Sequence, residues 1–91
     1  MKVKLRGKTY DYCRRLNVEV DGEKVDGYCD PPNCPNKAVV VDSQLEGFDE
    51  LETNLHELNH GCFWDVKEEV INEVSKDIAR VLWRLGYRKR K

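Results

Sequence analysis

The chain has 91 residues, 36% of them charged, with 16 lysines and arginines against 17 aspartates and glutamates and a net charge of −1. That balance disfavours a nucleic-acid binder, which carries a clear basic excess, and no apolar run is long enough to span a membrane. The length allows one small domain, residues 1–91, that buries only about 60–65% of its extended surface and so gains from a staple. The first residues, Met1-Lys2-Val3-Lys4-Leu5-Arg6, lack the apolar stretch of a secretory signal, so a cytoplasmic location is expected. There the four cysteines, Cys13, Cys29, Cys34 and Cys62, are expected as free thiols or metal ligands rather than disulfides.

In chain order, residues 1–42 read as strands and turns, residues 45–86 as two helices and residues 87–91 as a basic tail, an α+β class with a small antiparallel or mixed sheet. Val3 and Leu5 form a first strand, Arg6-Gly7 a turn, and Tyr10 and Tyr12 one face of a second strand. Leu16, Val18 and Val20 alternate as a further strand up to Asp21-Gly22, a strong hairpin dipeptide. Asp26-Gly27 marks another turn, and Asp30-Pro31-Pro32-Asn33-Cys34-Pro35-Asn36 is a rigid loop whose prolines cannot donate to a ladder. Ala38-Val39-Val40-Val41 is the strand expected to be most buried. The first helix starts near Gly47 or Phe48, buries Phe48, Leu51, Leu55, Leu58 and Cys62, and has Gly61 as an end signal, with continuation through Cys62 and Phe63 as the alternative. The second opens at Asp65 with Glu68 completing a capping box, buries Ile71, Val74, Ile78, Leu82 and Leu85, and ends at Gly86.

The chemistry lies in His56-Glu57-Leu58-Asn59-His60, an HExxH pattern on the first predicted helix. Residues i and i+4 lie one turn apart on one face, so both imidazoles can reach one metal ion, with zinc expected. Glu57 sits about 100° round the helix, beside the ion and not on it. A carboxylate there can take a proton from a water on the metal and return it to a leaving amine. The bland reading is two surface histidines on an amphipathic helix with an ordinary glutamate between them; the helical context favours the metal site.

A catalytic zinc takes three protein ligands and leaves a fourth position to water. The chain has no third histidine. Stepping about 100° per residue from Ile71, Glu68 falls near +60°, at the edge of the buried face, whereas Glu69 and Glu73 fall near ±160°, on the solvent side. Glu68 is therefore the first candidate, with Glu69 and Glu73 behind it and Asp65 and the cysteines as remaining possibilities. Against it stands the capping box, since one carboxylate cannot cap a helix and hold a metal equally well.

His56-Glu57-Leu58-Asn59-His60-Gly61, followed by Glu68-Glu69-Val70, Asp77-Ile78-Ala79-Arg80 and Leu82-Trp83-Arg84-Leu85-Gly86-Tyr87, resembles the small zincin-like metallopeptidases of phages and bacteria. More distantly it is similar to the SprT-like and ImmA/IrrE-like metalloproteases, and Cys29-Asp30-Pro31-Pro32 before the apolar strand fits the same likeness. The resemblance implies a sheet packed on the HExxH helix, with an edge strand able to pair with an extended substrate. It further implies His56 and His60 as zinc ligands, Glu57 as general base and an acidic ligand from the next helix. If the chain is phage-encoded, its cytoplasm is that of the host.

A zinc-dependent peptide-bond hydrolase acting on a peptide or protein substrate is the leading expectation. The alternative is a non-enzymatic zinc-stabilised interaction module, for which a fourth protein ligand such as Cys62 would be the sign. A nucleic-acid accessory role through Arg88-Lys89-Arg90-Lys91 is the weakest, because such a run more often is a solvated end that suits the helix dipole. A second, all-thiolate site is disfavoured, since only Cys29 and Cys34 show a paired spacing. Cys62 fits better as a buried apolar residue. Trp64 and Trp83 are expected as core or interface anchors, and Tyr28 as a strand residue able to border a cleft. Nothing in the pattern sets an oligomeric state.

Overall fold

A computed structural model describes residues 1–89 of the chain. Its first half is a four-stranded mixed sheet with a small hairpin beside it, and its second half is two helices, so the α+β expectation holds. β1 (Lys2–Leu5) and β2 (Lys8–Arg15) pair antiparallel around Arg6 and Gly7, both at positive φ. β3 (Glu19–Val20) and β4 (Glu23–Lys24) form the separate hairpin, with Asp21 and Gly22 at φ 52° and 82° supplying the two-residue turn that twisted strands favour. β5 (Gly27–Cys29) and β6 (Ala38–Asp42) complete the larger sheet in the order β1-β2-β6-β5. β6 runs parallel to β2 and antiparallel to β5, which leaves β1 and β5 as the edges.

The apolar run of β6 is the centre of the molecule: Val39, Val40 and Val41 are fully buried. Register places Tyr12, Val39 and Cys29 in one row and Arg14, Val41 and Gly27 in the next row on the same face. That face carries α1 (Gly47–Cys62), and α2 (Glu68–Arg84) packs on α1 from the other side, giving a stack of sheet, helix and helix. Leu5, Tyr10 and Val39 form the core, with Val3, Tyr12, Cys29, Leu58 and Cys62 packed against it. No helix among the described residues is long and apolar enough to cross a membrane.

Several local expectations are corrected. Leu16 is exposed and Asn17 takes a positive φ, so the alternation of residues 16–20 is a turn leading into a two-residue strand. Asp26-Gly27 is not a turn; Gly27 opens β5. A Cβ there would lie 2.6 Å from the Val40 carbonyl oxygen and 3.2 Å from Glu57 Cγ. This glycine serves close approach of strand and helix. Gly61 does not end α1 either, for the helix runs on to Cys62. A Cβ on Gly61 would meet Leu5 Cδ1 and approach Cys29 Sγ at 3.5 Å, so it lets the helix end settle onto the sheet.

The buried faces of the helices differ most from expectation. On α1 the most buried residues are Glu50, Glu57 and Gly61, whereas Phe48, Leu51, Leu55, Leu58 and Cys62 are half-buried. Glu50 is tolerated there because Arg14 reaches it at 2.8 Å from β2, and a charge held this far from water needs such a partner. On α2 the buried set is Ile71, Ser75 and Ala79; Val74, Ile78 and Leu85 are exposed. Small residues face α1 because the two helices approach closely, and the larger apolar residues are displaced to the outer flank. The C-terminus matches the glycine signal: Gly86 has φ 92°, and the Gly86 and Tyr87 amides donate to the Trp83 and Leu82 carbonyls at 3.1 Å.

Trp83 stacks edge-on against Phe48 at 5.8 Å and carries the Arg88 guanidinium 3.3 Å from its ring centroid, as an anchor residue should. Trp64, by contrast, is exposed in the interhelical turn. Of the basic tail, Arg88 donates to the Trp83 and Tyr87 carbonyls and Lys89 pairs with Glu50 at 3.0 Å, whereas Arg90 and Lys91 lie outside the described residues.

Candidate metal centre

The site grows from the middle of α1, where one helical turn separates His56 from His60. Their Nε2 atoms stand 3.2 Å apart and their rings meet edge-on at 4.8 Å. Both imidazoles are half-buried, and they project towards the start of α2. Two features bring α2 into range. The chain turns after Cys62 through a Phe63–Val66 hydrogen bond of 3.0 Å. Deeper between the helices, Asn59 Nδ2 donates to the fully buried Ser75 Oγ at 3.0 Å and pins their register.

That register delivers Glu68. Its Oε1 lies 3.1 Å from His56 Nε2 and its Oε2 lies 2.7 Å from His60 Nε2. The capping box does not form: Lys67 is the N-cap, with no side-chain cap, and Glu68 is the first residue of the helix. Asp65 lies outside the helix and pairs instead with Arg6 at 3.3 Å, both of them exposed. The competition between capping and ligation is thus absent, because the N-cap is Lys67, two residues beyond the Asp65 that the sequence pattern suggests. Glu69 and Glu73 are exposed on α2, and so is Glu68, whose side chain is 62% exposed; what sets Glu68 apart is its contact with both histidines.

His56 Nε2 and His60 Nε2 stand 3.2 Å apart, and the Glu68 carboxylate spans them with one oxygen on each, Oε1 at 3.1 Å and Oε2 at 2.7 Å. A tetrahedral zinc with ligands at about 2.0–2.1 Å holds its donors about 3.3–3.4 Å apart, so the two imidazoles stand near that spacing, and the carboxylate would have to draw back to offer one oxygen to an ion between them. Burial lowers the pKa of His60 against the opposing pull of Glu68, with the His56 ring lowering it further.

Glu57 has a different setting. It is buried against β5 beside Gly27, and its carboxylate together with His56 and His60 falls within 4.8 Å. By distance alone these three could share an ion. Glu68 is the better third ligand, because it touches both ring nitrogens directly while Glu57 lies under the strand. Burial, then the Glu68 and Asp26 carboxylates, push the Glu57 carboxyl up to about 7. A carboxyl poised near neutrality between two states suits proton transfer.

The cysteines stay outside this group. Cys29 is held as a thiol, its pKa pushed up to about 12 by burial first and by Glu57 next. Cys62 packs against the core, in line with its reading as an apolar residue, and all four cysteines are free. Tyr28 lies on the sheet face away from α1, where its hydroxyl meets Arg15, and so does not border the site. Gly27, Asp26, Asn59 and Ser75 were not legible as site-building residues. Asp26-Gly27 has the signature of a turn, and a polar residue inside HExxH or mid-helix gives no sign of what it faces.

Compared with known proteins, the chain matches no family model, no curated protein and no solved structure.

Proposed function

We propose that the chain is a zinc-dependent peptide-bond hydrolase, on the single observation that His56, His60 and Glu68 converge from two helices around a buried Glu57. Two imidazoles and one carboxylate are a donor set suited to zinc, with one position left for water. An ion held by His56, His60 and Glu68 would supply Lewis acidity, polarising a carbonyl and lowering the pKa of water towards neutrality.

The remaining work falls to the protein. Glu57, buried and titrating near neutrality, accepts a proton from the attacking water and later donates it to the leaving amine. Gly27 leaves the space in which that carboxylate sits. β5 pairs with β6 on one side and ends the sheet on the other, so an extended peptide can add to its free edge by main-chain hydrogen bonds. Such a peptide runs past Glu57, and strand pairing fixes which bond is presented. A purely structural metal site has no use for a buried base beside its ligands, and that favours the hydrolase over an interaction module.

The test is Glu57→Gln. It keeps the shape and the metal ligands but cannot accept a proton. Zinc content by metal analysis is expected to match the parent, while cleavage of an unfolded polypeptide falls by about 10²–10⁴-fold. Undiminished cleavage in the variant overturns the mechanism. A parent chain that holds zinc but cleaves nothing returns the protein to the class of zinc-stabilised modules.

A further inference from the structure

The outer flank of α2 and its C-cap residue Leu85 carry apolar side chains that remain exposed among the described residues. Val74, Ile78, Val81 and Leu85 are exposed, the last two at 57% and 68%. Together with Ile71 they repeat at intervals of three and four residues, which is the a and d pattern of a coiled-coil seam: Ile71, Ile78 and Leu85 at a, Val74 and Val81 at d. Ile71 is buried, and the other four stay exposed among the described residues.

Charge identifies the occupant and its direction. Asp77 and Arg84 are one heptad apart and both take the g position beside this seam. In an antiparallel pair of identical helices g faces g, so Asp77 of one copy meets Arg84 of the other, and two-fold symmetry makes the contact twice. In a parallel pair Asp77 would face the apolar Leu82. The rest of the helix agrees. Apart from Lys76, its charges run from acidic (Glu68, Glu69, Glu73, Asp77) to basic (Arg80, Arg84), so reversal of a second copy puts opposite signs together. Within one chain Asp77 meets Arg80 at 3.4 Å, an exposed pair of small energetic value that a better partner can displace.

We propose that this face is the interface of a two-fold homodimer in which α2 packs antiparallel on α2 of a second copy. Ile78 then lies against Val81 of the second copy and Val74 against its Leu85, with the two Asp77–Arg84 pairs at the flank. The seam is short, so the dissociation constant is expected in the micromolar range.

Sedimentation equilibrium of the full chain across the micromolar range reads this directly. The parent is expected to dimerise reversibly, and Val81→Glu, which places a charge on an exposed position, to be monomeric with an unchanged circular-dichroism spectrum. Asp77→Arg sets arginine against arginine twice and is expected to weaken association at least about tenfold. Combining it with Arg84→Asp restores the pairing with its signs exchanged and is expected to recover the parent's association. A parent that stays monomeric overturns the proposal. So does a dimer indifferent to Val81→Glu, or one in which the exchanged double variant dimerises no better than Asp77→Arg.

Discussion

At the scale of single residues, Glu57 shows how environment assigns a role that residue type leaves open. Its carboxyl titrates near 7 in the fold against an ordinary 4.5, because burial and two neighbouring carboxylates penalise its charge. A raised acid contributes stability that is fully present below the unfolded pKa and is lost as pH rises through the folded one. In the metal-free chain, Glu57→Gln, which resembles the neutral acid, is therefore expected to melt close to the parent near pH 5 and above it near pH 8. At about 4–8 °C per kcal/mol for a domain of this size, the gain at the higher pH is measurable by thermal unfolding. Taking the difference between the two chains removes the share that the imidazoles contribute to both profiles. A melting difference that does not change between those pH values would show that the carboxyl is not held near neutrality. His56, Glu57 and His60 were legible as a group because their chemistry depends on spacing along one helix, and a helix fixes that spacing by itself.

At the scale of elements, the decisive event is the approach of β5 to α1. Gly27 sits where β5 nearly touches α1, and Gly61 where the end of α1 settles against Leu5 of β1 and Cys29 of β5; both have the sequence signature of a different job, a turn and a helix end. Their shared reason is space. Gly27→Ala would push a methyl group against the Val40 carbonyl and the Glu57 side chain. The cost is expected at about 1–3 kcal/mol, typical of overpacking, read as a lower melting temperature. If the chain hydrolyses peptides as proposed, that activity is expected to fall as well, since the strand or Glu57 must move. An alanine variant that melts like the parent would mean that β5 does not sit this close. The start of α2 makes the same point. Asp65 and Glu68 satisfy the capping-box spacing, yet the turn after Cys62 delays the helix and frees Glu68 for the histidines.

At the scale of the whole molecule, the layered stack places the proposed metal centre at the junction of α1 and α2, where an ion would tie the second helix to the first. α2 touches chiefly α1, and its buried set is one isoleucine with a serine and an alanine. If an ion is held as proposed, by His56 and His60 from α1 and by Glu68 from α2, its binding free energy adds to fold stability. Free zinc at one hundred times its dissociation constant stabilises by about 2.7 kcal/mol, so chelation is expected to lower the melting temperature by roughly 10–20 °C. Glu68→Gln is expected to shrink that shift and Glu69→Gln to leave it intact. Identical melting with and without zinc would remove the ion from the account.

The sequence by itself determined the class of fold, the central valine strand and the pairing of His56 with His60, because each depends on periodicity within one segment. It also ranked Glu68 first among the acidic candidates, since angular position on a helix follows from counting residues. Tertiary structure decided what periodicity cannot carry. The close approach of β5 to α1 gave Gly27 its purpose and Glu57 its buried setting. The Asn59–Ser75 contact and the turn before α2 brought Glu68 within hydrogen-bond reach of both imidazoles. The stack of layers, by burying small residues between the helices, left the larger apolar side chains of α2 facing outward. The physical reason is common to all of these. A helix or strand fixes the directions of its own side chains, but which of them meets another segment depends on the distance and angle at which the segments pack.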